Sequence, residues 1–401
     1  MEKQARSNFA KHCIYVTLLY IGLMFCNGTI LQEFFLRIGL SEEQIYLYNS
    51  ITQGVQVAVM VAMIFFAGRI RRVKRVLLLP CLCMMVLSIV FLLGAALPVS
   101  DIRLYTLVVF LVSALAYLGY GLYVVLSYCL PYSIIDIKDY GKMCGVGSSV
   151  SGVCTLLLSI LYVFALSRWD YFRFASAFFV LSFACFLFSA VLLISMKELP
   201  EAKKAPKHDL MGVFKNRDTY VLIAPNLARG IATGILSVIA VIAVSADVLE
   251  TSGIAYVNSA LQISMLVGNL LFTFLCERFG SRRLLVIGTA GMVVLWPFLL
   301  LFGGSTFAVL FFILNVFRFI VDVTIPVLVT QIIPQSQVGA YTSVRMLIFT
   351  AGQAVATAIL PFLLEILGQT GTMIFAAMMQ LICGGAYWWV SQRNKGQLEV
   401  A

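Results

Sequence analysis

The sequence predicts an all-α membrane protein of twelve transmembrane helices in two pseudo-symmetric six-helix bundles, on three observations. Hydrophobic residues make up 61% of the 401 and charged residues only 11%, whereas soluble domains average roughly half and a quarter. Apolar stretches of about 20 residues, long enough to cross a bilayer, recur along the whole chain. A short sequence pattern appears once in each half, on either side of one polar segment near the midpoint.

Twelve stretches qualify as spans, at 13–36, 45–67, 76–97, 104–129, 144–166, 172–195, 219–245, 254–276, 284–303, 306–329, 342–364 and 372–390. The first is no cleavable signal peptide: its apolar core is too long, carries Asn27-Gly28-Thr29 and lacks a small-residue cleavage site. The polar segment 197–218 divides the spans six and six, so the expected organisation is an N-terminal bundle at 1–196, a cytoplasmic linker at 197–218 and a C-terminal bundle at 219–401. The net charge of +10 belongs to orientation. Basic residues collect in alternate loops, at Lys3, Arg6 and Lys11, at 69–75, at Lys138 and Lys142, from Lys197 to Arg217, at Arg278, Arg282 and Arg283, and at Arg393 and Lys395. The intervening loops hold few. This positive-inside pattern places both termini in the cytoplasm of a multi-pass cell-membrane protein, and the same distribution argues against a nucleic-acid partner.

The second span contains NSITQ (Asn49 to Gln53), followed sixteen residues later by the basic loop that begins at Arg69. The eighth contains NSALQ (Asn258 to Gln262), and the same spacing leads to Arg278. Repeated halves related by an axis along the membrane normal are an architecture of secondary transporters. The loop Glu277-Arg278-Phe279-Gly280-Ser281-Arg282-Arg283 resembles the loop signature of the major facilitator superfamily, acid-x-x-Gly-(x)-Arg-Arg. The resemblance implies a cytoplasmic gate in which Glu277, Gly280, Arg282 and Arg283 latch neighbouring helices. The copy after the second span keeps the cations Arg69, Arg71 and Arg72 but lacks the acid and the glycine in register; Arg69 and Arg72 are the gate candidates there. The fourth span has no intramembrane arginine and the fifth no Gly-Pro pair, unlike proton-coupled drug antiporters of that family.

Charges deep in apolar segments are tolerated only where they face a bundle interior or a water-filled cavity. At 100° per residue, Asn226, Arg229, Gly230 and Thr233 share one face of the seventh span, and Asn315, Arg318 and Asp322 share one face of the tenth. Both spans carry Asn-x-x-Arg, and the two stripes read as one polar site. Pro225, Gly230 and Gly234 predict a locally irregular seventh helix. Arg229 and Arg318 suit a carboxylate or phosphate, which a planar guanidinium holds bidentately. Asp322, one turn from Arg318, would hold that arginine when the site is empty and release it on protonation, coupling solute to a proton. The structural alternative is an Arg318–Asp322 pair that merely neutralises two buried charges; for Arg229 no local partner is evident.

Tyr117 and Tyr120 in the fourth span offer aromatic faces with hydroxyl tips, or else pack helices. Asn27, Gln53, Asn258, Gln262 and Gln353 are candidate neutral hydrogen-bonding residues, some of them ordinary interhelical glue. Glu33 and Arg37, one turn apart near the outer end of the first span, read as a partly solvated pair. The ten cysteines and two histidines show no metal-ligand spacing, and nothing resembles a phosphate-binding Gly-rich Lys loop. The expected function is therefore a secondary active transporter, not an enzyme, without cofactor or metal. It would act as a monomer on a small polar anionic organic solute, with a coupling ion for which a proton is favoured. The alternatives are a drug exporter of the same fold or a sugar symporter.

Overall fold

The structure is a computed structural model that describes residues 3–66, 73–97, 101–127, 130, 134, 140–166, 168–197, 214–215, 217–333 and 335–393. Each of the twelve predicted spans is helical within these residues. The chain divides into two compact units, Met1–Ser41 with Ile51–Pro206 and Glu42–Ser50 with Lys207–Ala401.

In the first half of the chain the helices are α1 (Lys3–Cys26), α2 (Gly28–Arg37), α3 (Glu42–Phe66), whose residues to Ser50 belong to the second unit and the rest to the first, and then, in the first unit, α4 (Val73–Val76), α5 (Leu78–Ala96), α6 (Ile102–Leu126), α7 (Tyr140–Leu166) and α8 (Tyr171–Ser195). The first span, expected to be continuous, is broken in mid-course. Gly28 adopts φ 73°, and the Asn27 side chain turns back to accept from the Gly28 amide as the N-cap of α2. Only glycine takes that backbone conformation freely. Its counterpart condition is burial: Phe25, Phe34, Phe91, Phe178 and Phe179 form a ladder with Phe25–Phe178 and Phe34–Phe179 centroids 4.3 and 5.1 Å apart, joining α1 and α2 to α5 and α8. Aromatic pairs in such tilted and edge-on arrangements add to the burial of their area.

The second unit holds α9 (Arg217–Ile223), α10 (Pro225–Ser237), α11 (Ile239–Ser245), α12 (Ile254–Leu295), α13 (Gly304–Ile332) and α14 (Gln335–Arg393). The predicted irregularity of the seventh span is present twice. Pro225 opens α10, and α10 bends by 48° into α11 at Val238. The long helices α12 and α14 are each two spans in succession, separated at Gly280 (φ 76°) and Gly368 (φ 66°).

Helices α10 and α14 meet through small residues. A Cβ on Gly352 would strike the Leu227 carbonyl and the backbone of Gly230, and one on Gly234 would lie 2.7 Å from the Ala356 Cβ. Close approach through small residues replaces the hydrophobic drive that lipid removes. The obstructing atoms are backbone, which cannot swing aside. Gly352→Leu is therefore expected to destabilise the protein by about 1–3 kcal/mol, the usual cost of overpacking, read as a lowered melting temperature of the detergent-purified protein.

Candidate functional site

The faces of α10 and α13 that bear Asn-x-x-Arg meet inside the second unit, through Arg229 and Asp322. What periodicity could not give is the partner of Arg229. Asp322 binds it directly, from one helix to the other, through Asp322 Oδ1 and Arg229 Nη2. The other carboxylate oxygen, Oδ2, lies 3.5 Å from Arg318 Nε on its own helix. Asp322 is thus shared between two arginines, and the three charges leave one positive in excess. The Arg229 side chain is only 7% exposed, while Arg318 and Asp322 keep 22% and 28%. The open side of the cluster is the side of Arg318 and Asp322.

The remaining polar residues of the two stripes hold this cluster in place. Asn315 is fully buried, donates to the Phe311 carbonyl at 2.9 Å and accepts from Arg318 Nη1 at 3.0 Å, which fixes the guanidinium. Asn226 is fully buried too. It donates to the Leu222 carbonyl and, at 2.9 Å, to the Tyr387 hydroxyl, which pairs at 2.8 Å with that of Tyr341. The two asparagines therefore position neighbouring groups, and neither side chain is open to a solute in this conformation. Phenyl rings complete the cage: Arg229 stands 5.3 Å from the Phe349 ring centroid and Arg318 4.9 Å from that of Phe319, distances at which a cation is attracted to the ring face. A crevice of about 180 Å³ runs beside Arg318 between Thr233, Trp296 and Gln380. A larger open cavity at Ile242, Ser245, Leu364 and Gly368 has no charged side chain in its lining.

Arg345 was missed by the sequence reading, although it lies inside the predicted eleventh span and the same charge-in-apolar-segment signal would have found it. It is half-buried on α14. Cys383 is close enough to Arg229, Asp322 and Arg345 to interact electrostatically with all three.

The other candidates are less concentrated. Tyr117 is buried and makes an edge contact with half-buried Tyr120 at 5.8 Å, and Tyr120 stacks on Tyr123 at 5.7 Å. Asn27 is exposed at the break of the first span, and Gln53, Gln262 and Gln353 are half-buried, with Gln53 Oε1 buried without a hydrogen-bond partner. Glu33 departs from expectation: it is wholly buried, held by Arg37 at 2.9 Å and by the Tyr162 hydroxyl at 3.0 Å. The expected pair with Arg37 forms and is solvated on the arginine side alone, at 29% exposure, while Tyr162, packed on Phe174 and Phe178, covers the carboxylate.

Of the gate residues, Arg69, Arg71 and Arg72 and the side chain of Glu277 lie outside the described residues. Gly280 supplies the positive φ that reverses the chain between two spans, Arg283 is exposed, and Arg282 is half-buried with Nη2 unpartnered. Lys74, from the basic loop of the first half, caps the end of α8 by donating to the carbonyls of Ile194 and Met196 at 3.2 and 2.8 Å. Among the described residues no cluster of histidine, cysteine or carboxylates has the makings of a metal site.

The family model of the Major Facilitator Superfamily matches residues 226–400. The fold over the whole chain is shared with solved structures. The D-xylose-proton symporter aligns with a TM-score of 0.71 at 14% identity, over 96% of this chain and 98% of that one. The nucleoside transporter NupG gives 0.65 at 15%, over 95% and 98%. A variant of the E. coli fucose:proton symporter FucP gives 0.63 at 15%, over 97% and 100%. The chain has the fold of the major facilitator superfamily. No curated protein matches it in sequence.

Removing Asp322 would leave Arg229 buried and unpaired. Asp322→Asn is expected to lower stability by about 3 kcal/mol, within the usual range for breaking a buried pair. Adding Arg229→Gln should recover most of that loss. Thermal unfolding of the single and double variants at neutral pH measures both.

Proposed function

We propose that this protein moves a small anionic organic solute across the cytoplasmic membrane by alternating access, coupled to a proton through Asp322. The observation that carries the reading is the sharing of one carboxylate between two arginines of different helices, with a net positive charge on the partly open side. When Asp322 is ionised it occupies both guanidinium groups. When it is protonated, both become available to an incoming carboxylate or phosphate, which a guanidinium recognises by paired charge-assisted hydrogen bonds. Solute binding and proton binding would then favour each other, the thermodynamic requirement for symport.

In this reading 1–196 and 219–401 are the two bundles that rock about the site, 197–218 is the cytoplasmic linker, and both termini are cytoplasmic. The protein would work as a monomer. The loops at 69–75 and 277–283 would close the inner side. Asn315 would steer Arg318, and Asn226 would brace the helix that carries Arg229. A second reading, a neutral-sugar proton symporter, is favoured by the solutes named for the xylose and fucose symporters of the same fold. The arginines would then be scaffolding and Tyr117 and Tyr120 the solute's contacts.

Ligand-dependent thermal stabilisation separates the two, since a molecule that binds only the folded state raises its melting temperature. Organic anions are expected to stabilise the wild type and not Arg318→Ala. Their apparent affinity should strengthen as pH falls in the wild type and lose that dependence in Asp322→Asn. Stabilisation by neutral sugars alone, unchanged by Arg318→Ala, would favour the second reading.

A further inference from the structure

The membrane-spanning part of the second unit carries more positive charge than its own carboxylate neutralises. Within the predicted spans of that half the charged residues are Arg229, Arg318, Arg345 and Asp322, three cations against one anion. Asp322 satisfies Arg229 and approaches Arg318. Arg345 has no acidic partner among the described residues; its one directed contact is a long one from Nη2 to the Met346 sulfur at 3.9 Å. An isolated charge within a span is costly unless water or a counter-ion reaches it.

The packing of α10 on α14 fixes where Arg345 stands. The Tyr341 hydroxyl reaches the Leu222 carbonyl of α9, the helix before Pro225, across a separation of 119 residues in sequence. On α10 itself, Gly230 abuts the Phe349 carbonyl and Gly234 the Gln353 backbone, each across the same separation. The two helices therefore run parallel in constant register, and Arg345 stands level with Asn226. Asn226 precedes Arg229 by three residues, so Arg345 and Arg229 differ in depth by about 5 Å at 1.5 Å per residue. Cys383 lies within electrostatic reach of both arginines and of Asp322, which places Arg345 in the same field. The Tyr387 hydroxyl, bound to Asn226, is within reach of Arg345 as well.

We infer that Arg345 is a second anion-binding residue of the site and that the solute carries two negative charges, one met by Arg229 and Arg318 and the other by Arg345. This rests on the anionic reading above and narrows it to a class, dicarboxylates and phosphate monoesters. With Asp322 protonated, as symport requires, a doubly charged solute offsets two of the three positive charges, whereas a monoanion offsets only one. Arginine suits the task because it stays protonated even when desolvated.

The test compares two pairs of probes at pH 7.5 on the full-length protein in detergent, by thermal stabilisation titrated to an apparent affinity. Succinate is set against monomethyl succinate, and glycerol 3-phosphate against its methyl diester. Each pair keeps the skeleton and changes the charge, because a phosphate monoester is mostly doubly ionised at that pH. The wild type is expected to bind the doubly charged member of at least one pair about tenfold more tightly, the order of one charge-assisted contact. Which pair responds tells a dicarboxylate from a phosphate ester. Arg345→Gln should bring the ratio to about one while the monoanion still binds, and Arg345→Lys should restore part of it. Melting of the unliganded variants reports whether they fold.

Equal binding of both members, or preference for the monoanion, overturns the two-charge inference and leaves the anionic reading standing. So does a dianion preference that Arg345→Gln does not alter. Failure of all four probes alongside stabilisation by neutral sugars or organic cations overturns both.

Discussion

The sharing of Asp322 between Arg229 and Arg318 is the constraint around which the second unit is organised. A buried arginine in a membrane needs a counter-charge, and the nearest one sits on another helix. The ion pair consequently acts as a strut between α10 and α13 as well as a site. Because Asp322 answers to two cations at once, any change in its charge alters both, and because the cluster carries an excess positive charge, it is never electrically complete in the absence of another anion. A structural pair would be neutral; this one is not. The difference is what makes the cluster a candidate for solute recognition.

The strut works only because the backbones around it approach closely. Gly230, Gly234 and Gly352 let α10 lie directly on α14, which sets the register that brings Arg345 to the depth of Asn226. The Asn226–Tyr387–Tyr341 chain of hydroxyl and amide groups then locks that register with hydrogen bonds in a medium where unsatisfied polar groups are expensive. Helix breaks fall beside this rigid contact: Pro225 at the start of α10 and the 48° bend at its end confine the rigid piece to the part that carries Arg229.

The first unit uses charge for cohesion. Glu33 is buried and satisfied by Arg37 and Tyr162, while the Arg37 side chain keeps its outer end exposed. Lys11 and Lys74 donate to carbonyls at the end of α8, of Ser195 and of Ile194 and Met196. Lysines there complement both the free carbonyls and the negative end of the helix dipole. Asn8 binds both the amide and the carbonyl of Lys197, tying the start of the linker to α1. The basic loop at 69–75 thus contributes at least one helix cap, which explains how it keeps cations without the acid and glycine of the loop at 277–283.

The sequence by itself determined the twelve spans, the irregular seventh helix and the faces bearing Arg229, Arg318 and Asp322. All follow from local chemistry: apolar length against bilayer thickness, backbone freedom at glycine and proline, and the 3.6-residue period. The tertiary structure alone decided which charges meet. Asp322 was assigned to Arg318 because helical spacing makes residues four apart neighbours, but its direct partner is Arg229, 93 positions away. Glu33 was read as partly solvated because its position is near a span end, and only packing against Tyr162 and the Phe residues reveals that it is buried. The break at Asn27–Gly28 was hidden for the same reason, and so was the absence, among the described residues, of an acidic partner for Arg345. Periodicity describes one helix at a time, whereas neutralisation, burial and hydrogen-bond satisfaction depend on what the neighbouring helices bring.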